Sequence, residues 1–198
     1  MKKKKLSPLW FIPAVVIIAL TLTACGIPFT EVEQEDEGSP ADLEAFFSLE
    51  EFVAAIETQG DGVAQLGTLK AYYVPQSIPA EYGLGKIVAG VSDILFAYYP
   101  VEALGDEEAM MAAEATGKCF EFRFHRWELD DPLSGIMEQL NMSAWDYIDG
   151  KYLFDAPRST YYWEQDGAAL SMTLPASFNV TIEEGIAYCQ AETVVVSA

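Results

Sequence analysis

An α+β fold built on a mainly antiparallel, twisted sheet follows from three features of this 198-residue chain. Short β-branched and aromatic runs are punctuated by Pro, Gly and Asp, and two Asp-Gly pairs stand where tight hairpins need positive φ. No regular strand–helix–strand alternation appears, which argues against a parallel sheet. A capping-box spacing near each end of the domain predicts N-terminal and C-terminal helices, packed on one face of the sheet.

The chain opens with a leader. Lys2 to Lys5 form a positive segment, Leu9 to Leu20 an apolar one, and Leu22-Thr23-Ala24 a small-residue approach to Cys25. That order is the layout of a secretory signal over residues 1–24. The ending L-T-A-C-G resembles the lipobox of bacterial lipoproteins, which implies that Cys25 is the lipidation site and that the chain is cut before it. An uncleaved membrane anchor is the alternative, since the apolar run approaches the ~20 residues that span a bilayer. Two acyl chains anchor stably where one is marginal.

Removing the leader leaves seven positive against 31 negative side chains, a net of −24. A field of that sign repels nucleic acid and anionic lipid headgroups, so nucleic acid is excluded as a partner. Residues 25–43 hold the lipidated cysteine and a spacer with six acids and no base, a self-repelling tether. Residues 44–198 remain, the length of one globular domain.

Within that domain Ser48 and Glu51 have capping-box spacing, flanked by Phe47 and Phe52 as a hydrophobic staple, and predict a helix up to Gly60. Leu69–Val74, Lys86–Val91 and Ile94–Tyr99 read as strands. Gly105–Gly117, rich in Ala, Met and Glu, reads first as a solvent-facing loop or a turn of helix, with a short helix as the alternative. Cys119 to Trp127 is the clearest strand. Phe120, Phe122 and Phe124 point one way, and Cys119, Glu121, Arg123, His125 and Trp127 the other. Pro132 starts a short helix through Leu140. Hairpins turn at Asp149-Gly150 and Asp166-Gly167, and Thr181 with Glu184 opens a helix through about Gln190. Thr193–Val196 adds an edge strand.

No catalytic set emerges. His125, the one histidine, has no Ser or Cys placed to suggest a triad. Gly83-Leu-Gly-Lys86 lacks the spacing and the hydroxyl of a phosphate loop, and it leads into a strand. Glu128, Asp130 and Asp131 precede a helix start and fit capping better than calcium, which takes more oxygens. No residue pattern predicts a metal or other cofactor. Cys119 and Cys189 are candidates for a disulfide outside the cytoplasm. Against pairing, Cys119 shares a face with Glu121 and Arg123 while Cys189 follows the buried side of its helix. Tyr73, Tyr99, Trp127 and Trp163 are candidate ligand-face aromatics: core packing explains rings on one face, and an uncovered second face would present a platform to a hydrophobic or sugar ligand.

Two stretches carry a resemblance. Tyr73-Val-Pro75, followed by Ile78-Pro-Ala-Glu-Tyr-Gly-Leu84 and the FAYYP strand, resembles an I-P-x-x-Y-x-L opening. YYWEQDGAALSMTLP, followed by a Glu-Glu-containing helix, resembles a W-E-x-D-G ending. Together they are similar to a clostridial and Firmicute extracytoplasmic domain-of-unknown-function family, found in lipoproteins and anti-sigma-like membrane proteins. The resemblance implies an α+β sheet domain outside a Gram-positive membrane, with no catalytic residues to carry over.

The expectation is a non-enzymatic, lipid-anchored protein on the outer face of the cytoplasmic membrane. It meets the membrane through its anchor and binds a protein or small ligand through its sheet face or loops. The alternatives are a cell-wall glycan hydrolase using paired carboxylates and a passive structural lipoprotein of the envelope. Replacing Cys25 by Ser is expected to leave an unprocessed, unacylated precursor, seen as an uncut mass without diacylglycerol. Normal acylation of that variant would overturn the lipobox reading.

Overall fold

The computed structural model describes residues 43–58, 62, 64–126, 132–140 and 147–196. Cys25 with its leader and most of the spacer, Trp127, the acids at 128, 130 and 131, and the Asn141 region lie outside the described residues.

Ten strands and four helices make up the described domain. In chain order they are β1 (Glu44–Phe46), α1 (Leu49–Glu57), β2 (Ala71–Pro75), β3 (Tyr82–Ala89), β4 (Asp93–Pro100), α2 (Glu107–Ala115) and β5 (Phe120–His125). Then follow α3 (Pro132–Leu140), β6 (Tyr147–Ile148), β7 (Tyr152–Asp155), β8 (Thr160–Gln165), β9 (Ala168–Thr173), α4 (Ile182–Ile186) and β10 (Ala191–Val195). Eight strands form one sheet in the order β1-β3-β4-β5-β9-β8-β7-β6, while β10 and β2 pair by themselves. Every pairing is antiparallel. The class is therefore α+β with a mostly antiparallel sheet.

Two meanders meet in the large sheet. The first, β3-β4-β5, gains β1 at its outer edge, and the second, β6-β7-β8-β9, runs back so that β9 pairs with β5. Both predicted hairpins form with left-handed residues at the turn: Asp149 at φ 51° with Gly150 at 66°, and Asp166 at 52° with Gly167 at 80°. Thr193 to Val195 is a strand as expected, but β10 leaves the large sheet and pairs with β2, placing Thr193 opposite Tyr73.

Alternation along β5 sorts the sheet into two faces. Phe120, Phe122 and Phe124 are buried in the large core cluster with Ile87, Phe96, Leu170, Met172, Tyr161 and Trp163. Phe52 and Ile56 of α1, Tyr72 and Tyr73 of β2 and Cys189 belong to the same cluster, and Ile186 of α4 packs against it. Edge-to-face rings pin α1 there, with Phe52 at 5.6 Å from Tyr72 and 5.7 Å from Phe96. Two smaller clusters lie on the other face. One joins Ala97, Tyr99 and Cys119 to Ala113 of α2, and the second joins Leu153, Tyr162 and Ala169 to Leu133 and Ile136 of α3.

Four local expectations are corrected. Ser48 caps α1 by accepting from Glu51 N at 3.1 Å, but the Glu51 carboxylate accepts from Phe47 N at 2.9 Å instead of the cap's own amide. The staple ring is Phe46, 5.7 Å from Phe52, because β1 turns that side chain inward and leaves Phe47 63% exposed. Gly105–Gly117 takes the helical alternative in place of the preferred loop. Asp106 caps Ala109 N at 3.1 Å, Glu107 and Glu108 sit in the first turn, and α2 runs nine residues before Gly117 ends it at φ 61°. α4 is shorter than the pattern suggests: its capping box forms fully, yet it stops at Ile186.

Gly185 explains how closely α4 approaches the sheet. A Cβ there would fall inside the contact radius of the Tyr161 hydroxyl and ring, and that hydroxyl donates to Ile182 O at 3.3 Å. Gly185→Ala is expected to cost about 1–3 kcal/mol by overpacking. A urea titration checks this, with Tyr161→Phe in the same chain recovering part of the loss. An unchanged midpoint would mean that α4 is not seated on Tyr161.

Candidate functional site

A concavity of about 570 Å³ opens between the small sheet and the β7–β8 hairpin. That lies within the range of small-molecule sites, roughly 300–1,000 Å³. One wall is the hairpin, where Tyr152 and Trp163 stand opposite each other in register. The facing wall is the entry to β10, with Cys189, Gln190 and Ala191, and Gln76 beside it. Gln76 N donates to Gln190 O at 2.9 Å, closing the end of the small sheet there. The rim carries Lys151 and Glu164, one charge of each sign.

Gln165 ties the two walls together. Its Nε2 donates to Ala191 O at 2.9 Å and to Thr193 Oγ1 at 3.1 Å, and Thr193 Oγ1 in turn donates to Asp166 Oδ2 at 2.8 Å. The chain that makes the Asp166-Gly167 turn therefore also fixes the distance from β8 to β10. Trp163 forms the inner part of this cleft and is 4% exposed, and its indole Nε1 is buried with no acceptor among the described residues. A buried donor left without an acceptor costs roughly 1–3 kcal/mol. Tyr152 is only half-buried, and burial raises its phenol above the ordinary value, with Cys189 and Asp149 adding.

The three described sequence-selected aromatics do not form an open platform. Tyr73 is 6% exposed and Trp163 4% exposed in the large core, while Tyr99 is fully enclosed against α2 and donates to Glu114. The cause is coverage of both faces: α2 occupies the side on which Tyr99 emerges. Of the three, Trp163 reaches the cleft, and Tyr73 borders a smaller depression with Lys70 and Asp166. Tyr152, Lys151, Gln165, Gln76 and Gln190 were not singled out by sequence. They come from four separate segments, and no local spacing relates them; the one available signal was the proximity of Glu164 and Gln165 to Trp163.

Cys119 and Cys189 are both buried and free. They belong to clusters on opposite faces of the sheet, which places the strands between them and rules out the candidate disulfide in this fold. Burial pushes Cys119 up to about 11, with Glu121 and Glu114 adding, and pushes Cys189 up to about 12. No group of His, Cys, Asp and Glu side chains suited to a metal occurs among the described residues.

No family model, curated protein or solved structure matches the chain.

The thiols yield a direct expectation. With Cys25 replaced by Ser, both remaining cysteines should ignore an aromatic disulfide reagent at about pH 8, where a free thiol is partly ionised. Both should react once denaturant is added. Rapid reaction of either in the native chain would place its sulfur at the surface.

Proposed function

We propose that this chain is a lipid-anchored binding module on the outer face of a Gram-positive cytoplasmic membrane, tethered at Cys25, that takes a polar small ligand in the Trp163 cleft. The observation that carries the ligand site is the buried Trp163 indole without an acceptor, in the wall of a cleft of about 570 Å³. A ligand or a bound water accepting from that N–H would relieve a desolvated donor. The amide side chains of Gln76 and Gln190 supply further donors and acceptors, and Lys151 and Glu164 balance each other at the rim. Such a lining favours a neutral or doubly charged polar molecule over an apolar one.

The reading also takes α1 and α4 to cover one face of the sheet, since Phe52, Ile56 and Ile186 all pack into the same cluster. It keeps the family resemblance as a proposal: the W-E-x-D-G segment supplies Trp163, Glu164 and Gln165 to the cleft. Glycan hydrolysis uses two carboxylates facing the scissile bond, and the described cleft lining offers Glu164 alone. The binding reading is therefore preferred.

Native mass spectrometry of the lipidated protein, gently extracted from its own membrane, tests this. The expected spectrum shows a reproducible small mass beyond the acyl groups. Trp163→Phe, which keeps a ring and deletes the N–H, should weaken its retention by about tenfold. A bare mass in the parent, with no saturable change in tryptophan fluorescence on adding the small-molecule fraction of that membrane extract, would overturn the proposal.

A further inference from the structure

A second concavity lies on the opposite face of the sheet, between the helices α2 and α3, and it differs in size and chemistry from the cleft. Strand register builds it. Arg123 of β5 stands opposite Ser171 of β9, and Ser171 opposite Tyr162 of β8. In the next row on the same face, Glu121 stands opposite Thr173, and Thr173 opposite Thr160. Directly opposed side chains sit roughly 5 Å apart, so two charged groups and four hydroxyls share one small patch. Arg158 reaches it from the turn after β7, and His125 completes the lining of a cavity of about 210 Å³.

The helices explain why this patch stays open. α2 packs on Ala97, Tyr99 and Cys119, and α3 packs on Leu153, Tyr162 and Ala169, which leaves the polar strip between them without an apolar cover among the described residues. Thr160, Ser171 and Tyr162 are nonetheless buried by their neighbours, so their hydroxyls form the floor of a groove and not a convex surface. Thr160 and Thr173 share a hydrogen bond of 2.8 Å, and Thr160 also donates to Arg158 O at 3.2 Å, which fixes the hydroxyl row.

The charges determine what fits. Arg123 donates through Nη1 to Asp93 at 2.6 Å, and Arg158 through Nη1 to Asp155 at 2.6 Å, leaving the other guanidinium N–H groups of both without an acceptor among the described residues. Burial raises the Tyr162 phenol, Asp155 adds, and Arg158 and Arg123 oppose, which puts both guanidinium groups within electrostatic reach of that hydroxyl. Burial pulls His125 down to about 4, Asp93 opposing and Arg123 adding, so it carries no charge at neutral pH. Glu121 is then the carboxylate of the groove with no cationic partner among the described residues. A simple anion would engage the arginines and repel Glu121. A simple cation would satisfy Glu121 and leave the guanidinium donors idle.

We infer that this groove binds a small zwitterion of the amino-acid class, with its carboxylate on Arg123 and the neighbouring hydroxyls and its ammonium on Glu121. A cavity of about 210 Å³ suits that size, being below the roughly 300 Å³ at which drug-sized sites begin. The site is separate from the Trp163 cleft and stands or falls without it.

Calorimetric titration of the full-length lipidated protein in detergent micelles tests the assignment, with glycine, L-alanine and D-alanine as probes and acetate and methylamine as half-ligands. At least one amino acid should bind saturably, and each half-ligand should bind at least about tenfold more weakly, since each makes only one charge-assisted contact. Glu121→Gln and Arg123→Gln should each weaken binding by about tenfold or more, while Lys151→Gln, in the other site, leaves it unchanged. Should Arg123→Gln unfold with the loss of its Asp93 pair, Ser171→Ala reads the same groove and is expected to weaken binding several-fold. Absence of binding by every amino acid up to about 10 mM, acetate binding as tightly as glycine, or loss of binding in Lys151→Gln would each overturn the inference.

Discussion

The alternation of β5 is the constraint on which the rest of the structure depends. This strand is fourth of eight in the sheet, and its three phenylalanines are buried in the main core while Glu121, Arg123 and His125 take the opposite face. Each buried Phe contributes about 1.5–3 kcal/mol. A slip of one residue would exchange three rings for two charges and an imidazole, so the register is held by an energy comparable to the stability of a whole small domain. Both concave sites inherit their geometry from that choice. β5 sets the register of β9 against it, and β9 sets that of β8, the strand that carries Trp163 toward one face and Tyr162 toward the other.

Polar ties do the remaining positioning. The guanidinium of Arg126 donates to the carbonyls of Ala64, Gln65 and Gly90 and to Thr68 Oγ1, which gathers the segment before β2 and the β3–β4 turn onto the end of β5. Burial lowers its pKa, yet an arginine keeps its charge at any ordinary pH. Gln165 plays the corresponding part at the other end, bridging β8 to β10. These side chains satisfy backbone groups that would otherwise be stranded between two sheets, and they hold the small sheet where the cleft needs its second wall.

Residues 25–198 carry seven positive and 31 negative side chains, a net charge of −24 that gives the binding proposals a physical frame. All three arginines lie on β5, just after it, or on the turn that faces it. A strongly negative protein that concentrates its guanidinium groups on one strand end has arranged a local exception to its own field. Two of the three pair through Nη1 with Asp93 and Asp155 at the border of the groove, which leaves their other guanidinium donors without an acceptor among the described residues.

Much of the fold was legible in the sequence because its signals are local. The β5 periodicity, both Asp-Gly turns, the Ser48 and Thr181 caps and the helix at Pro132 each depend on residues a few positions apart, and each appears in the structure. Where local signals competed the sequence was less clear: in Gly105–Gly117 the Asp106 cap and the burial of Ala113 favoured a helix over a loop. Of the cleft, Trp163 alone was foreseen, and for exposure rather than for a buried indole at a wall. By itself, then, the sequence determined the sheet's two-faced patterning, its tight turns, its helix starts and the acidic character of the chain. Only the tertiary structure decided that β10 leaves the sheet to pair with β2, that Cys119 and Cys189 lie on opposite sides of it, and that Glu121 and Arg123 meet Ser171 and Tyr162 across strands. Those outcomes rest on contacts between residues tens of positions apart, where loop closure, coverage of both faces and the competition for buried area choose among pairings that local chemistry leaves equal.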